Sequence, residues 1–205
     1  MKKLIFILYC FLPVFCFSQQ YSEVVQMEGK TAQQLYTTAR EWFAKTFVSA
    51  NDVIQMEDPT SGKIIGKGSN HVVESYIVGK GITAIFTTID WYPNYTLKIE
   101  VKDGRYKYEL TDIKIKSSSA AGTTEIPFAD YIAKTDEYKN GSDPEWLMAN
   151  PSPEFKDFKM NKSTARIFAQ TNEATYKLIQ STNRSIDNLI DDLKTNMTKA
   201  DNSNW

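Results

Sequence analysis

The amino-acid sequence predicts an α+β fold: a twisted antiparallel sheet of about five to six strands, with an N-terminal helix and a long C-terminal helix packed on one face. Three observations predict it. Residues 96–111 have a hairpin pattern, residues 31–48 a helix signal that begins with a capping box, and residues 163–199 apolar side chains at helical spacing. The hairpin decides which face of the sheet is apolar, and the helices are expected to cover that face.

The predicted hairpin turns at Asp103-Gly104, a pair suited to a two-residue type I′ loop because both residues tolerate positive φ. Such a loop places Ile99 opposite Tyr108, which makes one face apolar and brings opposite charges together on the other. A slip of one residue would turn every apolar side chain into water. The apolar pairs are Val101 with Tyr106, Ile99 with Tyr108 and Leu97 with Leu110, and the charged pairs are Glu100 with Lys107 and Lys98 with Glu109.

The phase of the second hairpin strand changes near its end. Core-facing residues are even-numbered up to Leu110 and odd-numbered from Ile113 onward. A β-bulge near Thr111-Asp112, which adds one residue to the strand, is therefore predicted to keep Ile113 and Ile115 on the core face.

The first 18 residues predict a cleaved secretory signal peptide. Lys2-Lys3 precedes an apolar run at residues 4–17, and cleavage is expected after Ser18. The run is too short for a comfortable membrane span. An alternative is a lipid attached to Cys16, although Phe15 stands where a lipoprotein signal needs a small residue. The sequence thus predicts a secreted or periplasmic protein, without a transmembrane span in the mature chain.

The expected mature chain has no cysteine, because Cys10 and Cys16 both lie in the signal peptide. It therefore has no disulfide and no thiol nucleophile. Removal of Lys2 and Lys3 leaves 22 basic against 25 acidic residues. This slightly acidic balance shows no electrostatic attraction to nucleic acid or to anionic lipid.

Residues 19–116 are predicted to form the α+β core. Thr31 and Gln34 have the spacing of a capping box, so a helix is expected at residues 31–48. Residues 91–94 are expected to link the fourth strand to the hairpin. The strands that precede the hairpin are predicted at residues 20–28, 52–57, 63–68 and 82–91.

Residues 117–162 are predicted to be a long connector, because Ser117 and the small residues after it break the β pattern. So long a connector is usually functional, partly ordered or disordered. Its many aromatic residues argue against disorder. Asp143-Pro144 and Ser152-Pro153 each have the pattern of a helix start, which predicts one or two short helical turns over the sheet.

Residues 163–199 predict one long helix, followed by a loose tail at residues 200–205. A helix of this length would extend ~54 Å, although ~30 Å spans a small domain. Three outcomes follow: the helix bends near residues 181–183, one half packs on the sheet while the rest frays, or one end projects. A projecting apolar stripe would need a partner, most simply a second copy of the chain.

Four aromatic residues are candidate binding residues: Trp91, Tyr92, Tyr95 and, in the connector, Trp146. They suit a recognition surface, but the first three equally suit a cap over the end of the core. No catalytic residue, metal site or cofactor is predicted, since His71 is the only histidine and has no serine-elbow signal beside it. Paired carboxylates remain open, because their spacing in space is not visible in one sequence.

Several short motifs in order along the chain resemble one known family. They include Glu41-Trp42-Phe43, the run Gly62-Lys-Ile-Ile-Gly-Lys-Gly68 and the run Val101-Lys-Asp-Gly-Arg-Tyr-Lys-Tyr108. Together they resemble the exported bacterial domain-of-unknown-function family numbered 4468, over roughly residues 21–116. The resemblance implies a TATA-binding-protein-like (TBP-like) fold in an envelope protein of Bacteroidetes-type bacteria. It implies no activity and brings no functional residues.

The sequence therefore predicts an exported, non-catalytic envelope module that binds a protein partner or a small ligand. The alternative is an envelope hydrolase that uses paired carboxylates. Nucleic-acid binding, by analogy with the fold name, conflicts with the acidic balance of the chain, and a fold does not by itself imply a function.

Overall fold

An antiparallel sheet of seven strands lies at the centre of the computed structural model, which describes residues 21–47, 49–119, 122–151 and 160–199. The predicted signal peptide and the predicted tail lie outside these residues. The α+β class with an N-terminal and a long C-terminal helix is confirmed. The strands are β1 Tyr21–Gln26, β2 Ile54–Asp58, β3 Lys63–Ser69, β4 Val72–Val78, β5 Ile85–Lys102, β6 Arg105–Ser119 and β7 Gly122–Pro127.

Six α-helices are found among the described residues, and most are short. The two long ones, α1 and α6, supply most of the buried apolar side chains that face the sheet. The helices are α1 Ala32–Thr46, α2 Ala50–Val53, α3 Phe128–Ala133, α4 Thr135–Asn140, α5 Pro144–Ala149 and α6 Lys162–Thr198, and one turn of 3₁₀-helix spans Gly81–Thr83.

The longest strand, β5, organises the sheet. The main path runs β1-β6-β5-β3-β2, β4 follows β3 along the same side of β5, and β7 pairs with β6. The prediction that residues 91–94 form a link was wrong, because β5 continues through them. Pro93 lacks an N–H donor, yet its carbonyl accepts a hydrogen bond from Asn70 N–H. The odd-numbered residues from Trp91 onward stay on the core face.

The hairpin register is confirmed, with Ile99 opposite Tyr108 and Leu97 opposite Leu110. The type I′ loop was wrong, because Gly104 has a φ of 74° but Asp103 does not adopt positive φ. Tertiary contacts explain the difference. The Asp103 carboxylate accepts the N–H of Ala32 at 2.7 Å, and Gly104 N–H donates to the carbonyl of Lys30. The loop is thus fastened to the segment that precedes α1.

The predicted β-bulge is confirmed. Thr96 pairs with Thr111, whereas Asn94 pairs with Lys114, so β6 carries one extra residue. Asp112 adopts a φ of 53° there. Ile115 is buried as a result.

Helix α1 begins as predicted. Thr31 accepts the N–H of Gln34, and the Gln34 side chain accepts the N–H of Thr31. The second strand begins later than predicted, because Asp52 and Val53 lie in α2, where both N–H groups donate to the carbonyl of Ser49. Val48, the predicted last residue of the first helix, lies outside the described residues.

The predicted break at Ser117 was wrong, since β6 continues to Ser119 and forms a hairpin with β7. Apolar alternation is absent there, but backbone pairing does not require it. The helix signal at Asp143-Pro144 is confirmed by α5, where Asp143 accepts the N–H of Glu145. The similar signal at Ser152 lies outside the described residues.

The long C-terminal helix is confirmed as the continuous helix α6. Its buried residues extend from Ala165 to Met197, so the predicted fraying or projecting half is not observed. Strand β4 and the short helices α4 and α5 cover the first half of α6. The apolar stripe that motivated self-association through this helix is therefore covered by the chain itself.

Candidate functional site

The face of the sheet opposite the helices carries polar side chains arranged in cross-strand rows. Strand register places His71, Tyr92, Lys116 and Glu125 in one row, and Ser69, Asn94 and Lys114 in the next. Residues on this outer face of β5 are half-buried or exposed, whereas their neighbours are buried. The outer face is the first candidate for a binding surface.

Charged side chains in the hairpin part of the outer face form ion pairs with one another. Lys98 lies 2.9 Å from Glu100 and 3.2 Å from Glu109, Lys63 lies 3.6 Å from Glu100, and Lys107 pairs with Glu109. Hydrogen bonds donated by Lys107 and Lys98 lower the pKa of Glu109, and the hydrogen bond from Lys98 lowers the pKa of Glu100. Each side chain of this network is held in an ion pair, although three lysines against two glutamates leave the network one net positive charge.

An open cleft of about 890 Å³ lies between the end of α1 and the neighbouring strands β3, β5 and β6. Its wall includes Lys67 and Lys114, which form no ion pair with any described residue. Three carboxylates, those of Asp52, Asp112 and Glu125, also line it. The cleft is therefore polar and of mixed charge, without a sign that selects one class of ligand.

His71 belongs to a small cluster at the edge of this face. Its Nε2 lies 2.8 Å from Asp90 Oδ1, and its ring stacks on Tyr92 with centroids 4.6 Å apart and planes 4° apart. Thr88 Oγ1 donates to the second oxygen of Asp90 at 3.4 Å. No serine hydroxyl among the described residues hydrogen-bonds to His71, so the nucleophile of a Ser/His/Asp arrangement is not in place.

The four predicted binding residues do not form one exposed surface. Trp91 and Tyr95 are buried, because both project from the core face of β5. The Trp91 ring packs at 4.4 Å on Tyr131, and burial raises the pKa of Tyr95, whose hydroxyl donates to Asn70 at 3.1 Å. Tyr92 projects from the opposite face and is partly exposed.

Trp146 lies on α5, away from β5, and its side chain is partly exposed. Helix α5 packs on α6 rather than on the sheet. Trp146 therefore shares no surface with Tyr92, and of the four predicted binding residues only Tyr92 contributes to the outer face.

Sequence reasoning missed a second candidate surface, which we call the arm and define as residues 72–91. In the arm β4 pairs with the first part of β5, from Val72 opposite Trp91 to Val78 opposite Ile85. Strand β6 pairs with β5 only from Tyr92 onward. The arm is thus a two-stranded ribbon that extends past the rest of the sheet.

One face of the arm lies against α6 and the other is open. Along β4 the residues alternate, half-buried at Glu74 and Tyr76 and exposed at Val73 and Ile77. Ile77 is 53% exposed and its cross-strand partner Phe86 is 71% exposed. At the end of the ribbon Ile82 is fully exposed and Ile85 is 65% exposed.

Exposed apolar side chains are concentrated in this part of the chain. Nine large apolar residues are exposed in the described residues, and six of them lie between residues 73 and 92. Exposed apolar patches on monomeric proteins commonly mark interaction sites. A sequence signal was present: from residue 75 to residue 89 the only charged residue is Lys80.

Within the described residues, no group of three or more His, Cys, Asp or Glu side chains is placed to hold a metal ion. None of the described helices is long and apolar enough to cross a membrane. The predictions of no cofactor and no catalytic residue remain predictions.

Comparison with known proteins bears on the fold. Residues 21–116 match the family described as "Domain of unknown function (DUF4468) with TBP-like fold". The family resemblance predicted from the sequence is confirmed over residues 21–116. The matched residues include β1 to β5, most of β6, helix α1 and the whole arm.

A solved structure similar to the whole chain supports the same fold. The crystal structure of a TBP-like protein from Parabacteroides distasonis matches with a TM-score of 0.50 and 16% identity, covering 89% of this chain and 94% of that one. The likeness therefore continues beyond the residues matched by the DUF4468 family. At this identity it shows the fold alone.

A second crystal structure, of a DUF4468 family protein from Bacteroides ovatus, matches with a TM-score of 0.47 and 15% identity, covering 90% of this chain and 88% of that one. No curated protein matches the chain. The DUF4468 description assigns no activity, so function must be argued from the surfaces described above.

Proposed function

We propose that this protein is an exported, non-catalytic binding module, and that the arm attaches it to another component of the cell envelope. The observation that carries the proposal is the concentration of exposed apolar residues on the arm. Support for export comes from the sequence, where Lys2-Lys3 and the apolar run at residues 4–17 have the pattern of a signal peptide.

The energetics favour a covered arm. Burial of a large apolar side chain that is otherwise in water contributes about 1.5–3 kcal/mol. Ile77, Ile82 and Phe86 each keep more than half of their surface in water in the isolated chain. A partner that covered all three would gain several such contributions, which would offset part of the entropy that association costs.

The outer-face cleft gives less support to a hydrolase with paired carboxylates. Such enzymes hold one carboxylic acid protonated by an apolar pocket or by a second carboxylate close by. In this chain Asp90 instead lies beside His71, and Glu125 accepts a hydrogen bond from the Asn94 amide at 3.3 Å. Both carboxylates lie in polar, solvent-accessible surroundings and not in an apolar pocket.

The same surfaces do not suit nucleic acid. Duplex binding depends on lysine and arginine side chains that are free to meet phosphates. On the outer face Lys63, Lys98 and Lys107 are paired with glutamates, while Lys67 and Lys114 share their cleft with carboxylates. We therefore propose binding to an envelope component and not to DNA.

Retention of the exported protein on total envelope preparations tests the proposal. The full-length sequence is expressed with Cys16→Ser, so that a lipid on Cys16 cannot contribute to retention. One variant carries Ile77→Ser, Ile82→Ser and Phe86→Ser on the arm. A matched control carries Val24→Ser, Met56→Ser and Ile167→Ser, which replace exposed apolar residues elsewhere.

We expect the parent and the control to co-sediment with the envelope and the arm variant to remain in solution. All three should unfold at similar urea concentrations, because every replaced side chain is exposed. Equal retention of the arm variant and the control, or no retention of the parent, would overturn the proposed function.

A further inference from the structure

The end of the arm has an unusual charge composition. Residues 75–89 contain one charged residue, Lys80, and no carboxylate, although 24% of the whole chain is charged. Glu74 and Asp90 bound this segment at the base of the arm. The whole chain is acidic and shows no general attraction to anionic lipid, but the end of the arm carries a local positive charge.

Exposed apolar side chains project from both faces of the arm near its end and from its apex. Ile77 and Phe86 project from the open face, and Ile85 projects from the opposite face, where it pairs with Val78. Ile82, at the apex, is fully exposed. A patch that docks on a protein surface needs only one apolar face, whereas apolar side chains on both faces and at the apex suit a medium that surrounds the end of the ribbon.

Several backbone groups of the turn are satisfied from within the chain. The Gln170 side-chain amide accepts the N–H of Gly79 at 2.9 Å and donates to its carbonyl at 3.2 Å. Thr83 Oγ1 donates to the carbonyl of Lys80 at 2.9 Å, and Ala84 N–H donates to the carbonyl of Gly81 at 3.1 Å. Backbone that enters lipid must have its polar groups paired internally, because no water is available there.

From these three observations we infer that the envelope component bound by the arm is the surface of a lipid bilayer, into which the apex inserts. This inference rests on the proposed function, in which the arm is the attachment element. Ile82, Ile85 and Phe86 enter the boundary between headgroups and acyl chains, to a depth of about 5–10 Å. Lys80 remains at the headgroups, where its long side chain can reach anionic phosphate.

Co-sedimentation with protein-free vesicles tests the inference. The vesicles contain equal parts of phosphatidylethanolamine and phosphatidylglycerol, and the three proteins are those used with the envelope preparation. We expect the arm variant to bind roughly tenfold or more weakly than the parent, because two of the three inserted side chains, Ile82 and Phe86, and the neighbouring Ile77 are replaced by serine. The control variant should bind like the parent. The inference would be overturned if the control lost vesicle binding as well, or if the arm variant bound vesicles as well as the parent does.

A site-specific label gives a second measurement. The expected mature chain has no cysteine, so Ile82→Cys in the Cys16→Ser background gives one attachment point for a polarity-sensitive fluorophore. We expect its emission to shift to the blue and to brighten with vesicles. The same label at Met56→Cys, exposed on β2, should not respond. Equal responses at the two positions, or none at residue 82, would contradict insertion of the apex.

Two outcomes separate the inference from the proposed function. Arm-dependent retention on the envelope without binding to vesicles would overturn the lipid inference and leave the arm as a docking site for a protein. A dimer in light scattering that depends on the arm, with no vesicle binding, would identify a second copy of the chain as the partner of the arm. That result would also overturn the lipid inference. Failure of the parent protein to bind both the envelope preparation and the vesicles would overturn both proposals.

Discussion

At the scale of single residues, two glycines on β3 determine how closely the helices and the sheet approach. A Cβ atom on Gly66 would lie 2.5 Å from the Phe43 ring, and one on Gly68 would lie 2.5 Å from the Tyr95 ring. Both rings are buried and have little room to move. The two glycines thus provide space for core aromatics, as glycine in a strand often does.

Gly66→Ala should therefore destabilise the protein. We expect the free energy of unfolding to fall by about 1–3 kcal/mol, because Phe43 must shift within a close-packed core. Urea denaturation followed by circular dichroism measures this change. Lys67→Ala, next on the same strand but exposed on the outer face, is the control and should change stability little. A Gly66→Ala protein as stable as the parent would show that the core adapts.

At the scale of elements, the strand pair β5 and β6 shows what the sequence can specify. The alternation of apolar and charged residues fixed the register, and the change of phase after Leu110 located the bulge. The loop type was not specified, since Asp103 bonds to Ala32, a residue distant in the chain. Local pattern therefore predicts pairing, and tertiary contacts decide the conformation of the loop.

The charged network across β5 and β6 should make stability depend on pH. The pKa values of Glu100 and Glu109 lie below the ordinary 4.5 in the folded chain, so their contribution is present above that pH and is lost as the pH falls through the folded values. The pKa of Lys98 is raised above 10.5, mainly by its hydrogen bond to Glu100, so its contribution is present below that pH and is lost as the pH rises. Between these limits the network is fully charged.

Glu109→Gln should lower the free energy of unfolding at pH 7 by at most about 1 kcal/mol, since these side chains are partly exposed. The difference from the parent should shrink as the pH falls through the lowered pKa of Glu109, because the native carboxylate is then protonated as well. Urea denaturation at several pH values measures it. Glu41→Gln, which removes a more exposed pair with Lys45, is the control. A difference that persists unchanged in acid would contradict this account.

At the scale of the whole molecule, α6 joins the arm to the core. The first half of α6 holds the arm through the side-chain amide of Gln170. The second half contacts α1, where the Trp42 indole N–H donates to the Asp192 carboxylate at 2.7 Å. The length that suggested a projecting helix in the sequence is needed because the arm extends the sheet beyond the core. One helix thus buries apolar side chains along both parts.

Gln170→Ala should loosen the arm without unfolding the core. Loss of two hydrogen bonds to Gly79 exposes backbone groups that local opening can then reach, so amide hydrogen exchange in β4 should become faster. Exchange in β6 should remain unchanged. Gln180→Ala, exposed on the same helix, is the control. Unchanged exchange in β4, or equal acceleration everywhere, would show that Gln170 does not hold the arm.

The sequence by itself determined the elements whose signals are local: the capping box at Thr31, the register of Ile99 with Tyr108, the bulge near Asp112 and the continuous period of α6. It also carried the family resemblance. A cap over the core was one reading of Trp91, Tyr92 and Tyr95, and Trp91 and Tyr95 are indeed buried. The sequence did not predict that β5 continues through these residues and turns Tyr92 to the opposite face.

Only the tertiary structure decided which apolar residues remain in water. Ile77, Phe86 and Val78 have the same chemical character in the sequence, yet Val78 is half-buried and the other two are exposed. The reason is that burial depends on what packs against a strand, and α6, more than 70 residues away in the chain, covers only one face of the arm. A local pattern shows that successive side chains of a strand point to opposite faces, but it does not show which face another element covers.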